Sequence, residues 1–461
     1  MSMHTVAISG GATASRLGQF AWAMFHFAAG PYWIMVNIFV FAAFFQSVVV
    51  GDVVQGQALW GYVQAAAGFI VALASPVLGA VADVRGDRKP GLALFLGLAL
   101  IAIFGLWPAG PGAILWTSAA VILAAVMVEF AGVFHNAMLP AIASEKRIGF
   151  LSGLGYSLDY AGAITVFALW LALPASGLIP AGDTTHIHER VVGPLTAIWL
   201  AVFVIPLFLL TPDTPSNGIG VVKAARAGLQ QLARTFRAVS HYRNIALYLV
   251  ARAVYADGLS AVFAFIGVYV HGVFGWSVAK VGIYALSILV ISAFTSVIGG
   301  WIDDRLGSKR TIAISLAGFS IGTALAIGVT PETMFYLVPI PPGLAAVELP
   351  FVGPIFGAIG FAGFAEQLNL AFAMISGVFV GPMLASSRTM LVRIAPPERM
   401  AEFFGLFTLT GRATAWLAPL AIGIVTSATG DQRIGFSMVF VFLAAGLALL
   451  MFVREERTQA V

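Results

Sequence analysis

The feature that most constrains the fold is a series of apolar runs, each about as long as the hydrocarbon core of a bilayer is thick. A helix needs roughly 20 consecutive apolar residues to cross that core. Only 10% of the residues are charged, against about 25% in soluble domains, which is too few to cover a surface that faces water. The sequence therefore predicts an all-α integral membrane protein with twelve transmembrane helices. The predicted spans are 17–50, 57–82, 90–109, 113–143, 151–177, 191–210, 244–271, 277–302, 310–330, 368–395, 401–427 and 434–453.

One further apolar stretch lies in the segment 331–367, around Phe351–Phe364, and it is broken by Gly and Pro. Such residues interrupt helices, so we interpret the segment as a packed extramembrane or re-entrant loop. A thirteenth span is the alternative, and it would place the two termini on opposite sides of the membrane.

Lys and Arg are distributed unevenly between the predicted loops. With the N-terminus inside, 19 of the 24 basic residues lie on the cytosolic side, while Arg190, Lys280 and Arg433 lie outside. Cytosolic loops of membrane proteins carry this excess, so we expect a multi-pass protein of the cell inner (plasma) membrane with both termini in the cytosol. The net charge of +4 then reflects orientation, and no nucleic acid is expected as a partner. Four tryptophans are assigned to interfacial or lipid-facing positions: Trp22, Trp33, Trp60 and Trp116.

Two motifs recur in the two parts of the chain. G-A-V-A-D-V-R-G-D-R-K from Gly79 resembles G-W-I-D-D-R-L-G-S-K-R from Gly300, 221 residues later, and the segment from Ile142 resembles that from Ile394, 252 residues later. One duplication and a longer 331–367 loop explain both offsets, and this is the parallel-repeat architecture of two-half transporters. We expect a six-helix half at 1–210, a cytosolic amphipathic linker at 211–243 and a second six-helix half at 244–461.

The repeated loop motifs are candidates for a cytosolic gate. Their glycines permit close helix packing, and Asp83 and Asp304 can cap the following helix or pair with a nearby arginine. Such a carboxylate–arginine cluster could latch the two halves in one state; the alternative is a solvated loop that obeys the positive-inside rule. The gating residues are Gly79, Asp83, Arg85, Gly86, Arg88, Gly300, Asp304, Arg305, Gly307, Arg310, Arg399 and Glu402.

These motifs resemble the loop signature of the major facilitator superfamily. Within it, the run G-P-M-L-A-S-S-R-T-M-L-V-R-I-A-P-P-E-R-M-A-E-F-F-G at 381–405 and Y-A-D-G from Tyr255 are similar to the vacuole-effluxer-like branch, which includes fungal vacuolar amino-acid exporters and bacterial homologues. The chain departs from that branch at two intramembrane positions. His26-Phe27-Ala28-Ala29 stands where Asp-Trp-Ala-Asn is usual, and Asp159 stands where Gly is usual.

Ionisable residues inside a membrane are costly and commonly functional. Asp257 is the first candidate for proton or cation coupling, with Glu129 and His26 as further titrating groups. Arg412 or Arg252 could neutralise Asp257 or bind a substrate carboxylate, although Arg252 could instead reach towards water. Asp159 is either a packing hydrogen bonder or a proton carrier. The resemblance implies that the first, fourth, seventh and tenth helices line a cavity. The substrate and coupling candidates are Asp257, Glu129, Arg412, Arg252, His26, Asn136 and Tyr255.

These features favour a major facilitator fold and a secondary active transporter that moves a small polar metabolite by alternating access with proton coupling. The resemblance suggests amino acids as cargo. No phosphate-binding loop, metal cluster or catalytic constellation is present, so we expect a monomer in membrane lipid with no cofactor, no metal and no enzymatic activity. Two alternatives stay open, a transport-inactive scaffold or sensor and an integral membrane lipid-modifying enzyme.

Overall fold

The computed structural model describes residues 6–7, 11–174, 176–177, 185–227, 229–230, 242–396 and 400–456. Of the described helices, ten are long and apolar enough to cross a membrane, and two shorter apolar ones, Lys89–Phe104 and Val278–Ser292, complete the predicted twelve. The prediction of twelve helices is confirmed. They are α1 (Arg16–Val50), α2 (Val53–Arg85), α3 (Lys89–Phe104), α4 (Ile114–Ile142), α5 (Glu145–Ala172), α6 (Ile187–Leu210), α7 (Arg243–Phe274), α8 (Val278–Leu306), α9 (Ser308–Ile327), α10 (Phe364–Ile394), α11 in two parts (Met400–Ala413 and Leu417–Thr429) and α12 (Gln432–Met451).

The segment between α9 and α10 is a loop with short elements. A hairpin pairs β1 (Thr333–Met334) with β2 (Val338–Pro339) in antiparallel fashion, and the short helices Pro342–Ala345 and Gly353–Ala358 follow. All of residues 331–363 are described, and none of them belongs to a helix long enough to cross a membrane. The alternative of a thirteenth span is therefore wrong.

By its internal contacts the chain divides into two compact units, Met1–Asp52 with Ala66–Arg234, and Val53–Ala65 with Thr235–Val461. In the first unit α1 packs against α5 and α6, and α3 packs against α4 and α6. In the second, α7 packs against α11 and α12, and α10 packs against α8 and α9. The predicted division at 1–210, 211–243 and 244–461 stays a prediction, and the linker positions Leu232, Phe236 and Val239 lie outside the described residues.

The start of α2 belongs to the second unit. The fully buried Gln57 donates from Nε2 to Thr426 Oγ1 (3.0 Å) and to the Gln432 carbonyl (2.9 Å). Gly61 and Gly423 bring α2 and α11 into backbone contact, because a Cβ on Gly61 would lie 2.7 Å from the Pro419 carbonyl oxygen. Small residues allow this approach between membrane helices.

Helix α1 is interrupted after Pro31. It runs as an α-helix over Arg16–Pro31 and as a π-helix over Tyr32–Ile38. Proline has no N–H, so the carbonyl of Phe27, one turn earlier, loses its helical partner. The indole Nε1 of Trp199 in α6 donates to that carbonyl at 2.9 Å. The interruption is therefore stabilised by a side chain of a neighbouring helix.

The assignment of tryptophans to the lipid interface is wrong for two of the four. Trp22 and Trp60 are fully buried, whereas Trp116 is exposed. The indole N–H of the buried Trp22 donates a hydrogen bond to the backbone carbonyl of His135 in α4. A buried tryptophan usually has such a partner, because its N–H would otherwise be left without an acceptor.

Candidate functional site

The polar centre of the first unit is a contact between His26 of α1 and Asp159 of α5. His26 Nδ1 lies 2.8 Å from Asp159 Oδ2, and the two side chains are 19% and 26% exposed. The ring of His26 lies directly over Gly155, where an added Cβ would come within 2.6 Å of it. The glycine thus makes room for an imidazole–carboxylate pair within membrane-spanning helices.

A second histidine supports this pair from α4. His135 Nε2 donates to the Trp22 carbonyl at 2.9 Å while Trp22 Nε1 donates to the His135 carbonyl at 3.0 Å. The His135 ring is stacked between Trp22 and Phe25, with ring centroids 4.4 and 4.0 Å away, and its centroid lies 5.2 Å from that of His26. Because a carbonyl only accepts, Nε2 of His135 carries its proton, and this fully buried ring holds α1 against α4.

The two candidates on α4, Glu129 and Asn136, occupy different environments. Glu129 is half-buried and lies near the fully buried Tyr32 of α1. Asn136 is exposed. Glu129 therefore lies towards the interrupted part of α1.

In the second unit, Asp257 of α7 lies at the break in α11. Its Oδ2 accepts a hydrogen bond at 3.1 Å from the backbone N–H of Ala418, the second residue of the helix Leu417–Thr429. A carboxylate is favoured there, because helix N-termini carry free N–H groups and a partial positive charge. The side chain is 1% exposed, and among the described residues Oδ1 has no hydrogen-bond partner. The expected cation, Arg252 or Arg412, is not at the Asp257 oxygens.

Arg252 and Tyr255 lie on another side of α7. The Arg252 guanidinium is 3.7 Å from the ring centroid of Phe407, and its Nη1 donates to the Phe407 carbonyl at 2.5 Å. Arg252 is half-buried, and the alternative that it reaches towards water stays a prediction. The hydroxyl of Tyr255 bonds Ser387 Oγ of α10 at 2.7 Å. Arg412 is half-buried in the last turn before the α11 break.

The loop between α2 and α3 is closed by residues that follow α6. Asp213 accepts from the backbone N–H of Arg88 (3.1 and 3.2 Å) and of Lys89 (2.9 Å), which caps α3. Arg85 makes a bidentate ion pair with Asp87 (3.0 and 2.9 Å), and these hydrogen bonds lower the pKa of the Asp87 carboxyl below its usual range. Gly86 has φ +87°, a conformation that favours glycine.

The second unit repeats this arrangement with a different carboxylate. Glu455, which follows α12, accepts from the backbone N–H of Ser308 (2.7 Å) and Lys309 (3.0 Å) and thus caps α9. Its Oε1 also accepts from Arg393 Nη1 (2.8 Å), and Arg393 Nη2 donates to the buried Asp303 (3.0 Å). Gly307, at φ +84°, lies directly against the Glu455 carboxylate.

The expected roles of several gating residues are corrected by these contacts. Asp83 and Asp304 are exposed and do not cap α3 or α9, because Asp213 and Glu455 do so. Arg305 lies over the ring of Trp301 at 3.6 Å, and Arg310 is exposed. A Cβ on Gly79 would meet only Val133 at 3.9 Å, so packing there does not require glycine. Arg399 lies outside the described residues, and the surroundings of Gly300 and the side chain of Glu402 are likewise not described.

Four residues that form these helix caps and ion pairs were not predicted from the sequence: Asp213, Asp303, Arg393 and Glu455. A signal was available, since Asp213 and Glu455 are acidic residues shortly after the sixth and twelfth helices, which are equivalent positions of the two repeats. Within the described residues, no group of three or more His, Cys, Asp or Glu side chains is placed to hold a metal.

Twelve helices, a repeated loop motif and intramembrane ionisable groups define a transporter of the major facilitator type. Residues 47–460 match the family described as "Vacuole effluxer Atg22 like", and the chain belongs to that family. It is 26% identical to the uncharacterized MFS-type transporter YxiO of Bacillus subtilis over 451 residues, 95% of this chain and 94% of that protein. It is 24% identical to autophagy-related protein 22 of Cryptococcus neoformans over 67% of this chain, and the match spans only 50% of the fungal protein.

Solved structures share the fold. The D-xylose-proton symporter superposes with a TM-score of 0.65 at 11% identity, over 95% of this chain and 97% of that one. The nucleoside transporter NupG superposes with a TM-score of 0.60 at 16% identity, over 95% and 98%. The family and these neighbours are transporters rather than enzymes, and the chain is a multi-pass membrane protein.

Proposed function

We propose that this transporter couples the movement of a small polar metabolite across the inner membrane to protons, by alternating access between two six-helix halves. Support comes from the family, from the internal repeat and from the D-xylose-proton symporter, whose name states proton coupling on the same fold. Amino acids are the first class of cargo to test, because the sequence resembles the branch that contains vacuolar amino-acid exporters.

The contact between His26 and Asp159 carries the proton-coupling proposal. These two residues are the departures from the pattern of the branch, and they lie 2.8 Å apart. The carboxylate usual on the first helix is absent here, and another carboxylate approaches the same place from α5. The partial exposure of both side chains lets water deliver a proton. The other titratable ring packed on His26 is His135, whose Nε2 proton is held by the Trp22 carbonyl.

The second unit supplies the other proposed groups. Asp257 is a second candidate proton site, since one oxygen accepts from the Ala418 N–H and, among the described residues, the other has no hydrogen-bond partner. Arg252 and Arg412 are proposed to bind a substrate carboxylate, as guanidinium groups do, with Tyr255 beside Arg252 on α7. Glu129 and Asn136 are proposed to contribute from α4.

Uptake by proteoliposomes of the purified protein tests this proposal. Candidate cargoes come from a thermal-shift screen at pH 6 and pH 8, with amino acids first, and are then assayed with and without an imposed pH gradient. We expect Asp159→Asn to lower gradient-driven accumulation by about tenfold or more, because loss of a positioned proton-transfer group commonly slows the step that it serves by at least this factor. Exchange without a gradient should persist. Ser157→Ala, an exposed position on the same helix, is the control and should accumulate normally.

Three results would count against parts of the proposal. Normal accumulation by Asp159→Asn would remove the pair from coupling, and normal accumulation by Asp257→Asn would remove Asp257. Failure to move any small solute under any gradient would contradict transport itself and favour the scaffold or sensor alternative.

A further inference from the structure

The loop before α10 contains an unusual stretch. Residues 349–363, L-P-F-V-G-P-I-F-G-A-I-G-F-A-G, include no Asp, Glu, Lys, Arg or His. Loops outside a membrane are normally polar because water must solvate them. This stretch therefore needs another environment for its apolar side chains.

One side of the stretch is firmly attached to the protein. The fully buried Gln367 of α10 accepts from the Leu349 N–H (2.7 Å) and donates to the carbonyls of Gly353 (3.1 Å) and Phe361 (3.0 Å). Phe361 is also fully buried and packs on Trp276, with ring centroids 5.1 Å apart. The segment is thus held in one conformation and is not a loose connection.

The opposite side presents apolar side chains to the exterior. Phe351 is 96% exposed and Ile355 is 64% exposed, and Val352 and Ile359 are exposed beside them. Ile355 lies in the short helix Gly353–Ala358 and Ile359 at its C-cap, four residues apart and hence on one face, and Phe351 precedes this helix. Phe351 also has φ +66°, a left-handed conformation that bulky residues rarely adopt. The fold therefore holds an aromatic ring outwards at a cost in backbone strain.

The level of this face along the helices follows from α9. Its 20 residues span about 30 Å, which is the thickness of the hydrocarbon core. Its last turn therefore lies at one surface of that core. Asn369 of α10 donates to the carbonyl of Ala326 in that turn at 2.7 Å. Gln367 is two residues before Asn369, so the segment that it holds lies at the same surface.

We propose that residues 349–361 insert Phe351 and Ile355 into the lipid at this surface of the bilayer. An exposed apolar patch marks a contact with membrane or protein, and two observations favour lipid: the absence of charged residues within 349–363 and the level of the patch. The segment would anchor the end of α10 in the interfacial region, where apolar and aromatic groups of monotopic segments lie. This proposal does not depend on what the protein transports.

The chain has no cysteine, so single cysteines can be labelled selectively. An environment-sensitive NBD fluorophore is placed on Phe351→Cys and on Ile355→Cys, with Gly343→Cys as the control, an exposed position with open space around it in the same loop. Each variant is reconstituted at one copy per phosphatidylcholine nanodisc, and emission is measured with brominated phosphatidylcholine and with aqueous iodide.

We expect blue-shifted emission at positions 351 and 355, at least twofold stronger quenching by brominated lipid than at position 343, and weaker quenching by iodide. Emission and quenching like those at position 343 would overturn the proposal. The same measurement is repeated in vesicles that carry many copies of the protein. Protection in these vesicles but not in single-copy nanodiscs would also overturn the proposal, because the occupant would then be a second copy. Because the side chain of Phe351 is almost wholly exposed, its replacement should not affect folding. An unchanged thermal unfolding temperature of each variant verifies this.

Discussion

Three glycines determine how closely α1 approaches α5. A Cβ on Gly30 would lie 2.3 Å from the Asp159 carbonyl oxygen, one on Gly162 would lie 2.2 Å from the Phe27 carbonyl oxygen, and one on Gly155 would overlap the His26 ring. Small residues at such contacts let backbones of membrane helices touch. The His26–Asp159 distance therefore depends on glycines, which carry no functional side chain.

Substitution of Gly162 tests this dependence. We expect Gly162→Ala to destabilise the protein by about 1–3 kcal/mol, the usual cost of overpacking, and to lower its thermal unfolding temperature in detergent. Gly153→Ala is the matched control on the same helix, because no atom of the described residues lies within 4 Å of a Cβ added there. It should be neutral or slightly stabilising, since alanine favours helix by up to about 1 kcal/mol. Equal stabilities of the two variants would contradict the packing argument.

At the same scale, the sequence predicted which residues are ionisable and intramembrane but not which of them meet. The spacing within α1 or α5 contains no information on their mutual rotation, so the pairing of His26 with Asp159 could not be predicted. The three basic residues assigned to the outside also have contacts that the sequence did not predict. Lys280 binds both oxygens of Glu366, Arg190 donates to the Trp107 carbonyl, and Arg433 lies over Tyr336. Each exception to the charge rule has a local structural partner.

At the scale of elements, the two repeats share a capping device that uses residues distant in sequence. Asp213 caps α3 and Glu455 caps α9, and Lys89 Nζ and Lys309 Nζ each donate at 2.7 Å to a carbonyl in the last turn of α6 and α12. In each unit the end of the last helix is thereby joined to the start of the third. The capping geometry is therefore the same in both units, although the carboxylate belongs to Asp213 in one and to the longer Glu455 in the other.

Removal of these carboxylates should destabilise each unit. We expect Asp213→Ala and Glu455→Ala each to cost about 1–2 kcal/mol, the upper range for a helix cap, measured as lower unfolding temperatures in detergent. Asp83→Ala and Asp304→Ala are matched controls, because both side chains are exposed. They should change stability by less than about 0.5 kcal/mol. A larger effect of the controls than of the caps would show that the motif aspartates, and not Asp213 and Glu455, carry the structural role.

The helices themselves were predicted to within a few residues over most of the chain, because hydrophobic length is a strong signal for a membrane span. Their interruptions were not predicted. The π-helical part of α1 depends on Trp199 reaching the carbonyl that Pro31 leaves without a partner, and the break in α11 depends on Asp257 of another helix. Both are tertiary effects, and a local hydropathy pattern does not contain them.

At the scale of the whole molecule, the orientation is a proposal that rests on charge alone. It places the linker after α6 in the cytosol and the loop between α9 and α10 outside. Two glycines make a matched pair of probes, Gly220 in the linker and Gly343 in the loop, since both are exposed with no atom within 4 Å of an added Cβ. The absence of native cysteine means that a cysteine at either position is the single reactive thiol.

Labelling with a membrane-impermeant maleimide distinguishes the two orientations. In intact cells we expect Gly343→Cys to react and Gly220→Cys to react only after permeabilisation, because the orientation proposed from the positive-inside bias places the linker in the cytosol. The reverse pattern would show that the charge rule fails here. Reaction of both sites in intact cells would mean an even number of spans between them, whereas the three helices α7 to α9 separate the two positions and require opposite sides. Labelling of both from the same side would therefore contradict the assignment of one of these helices.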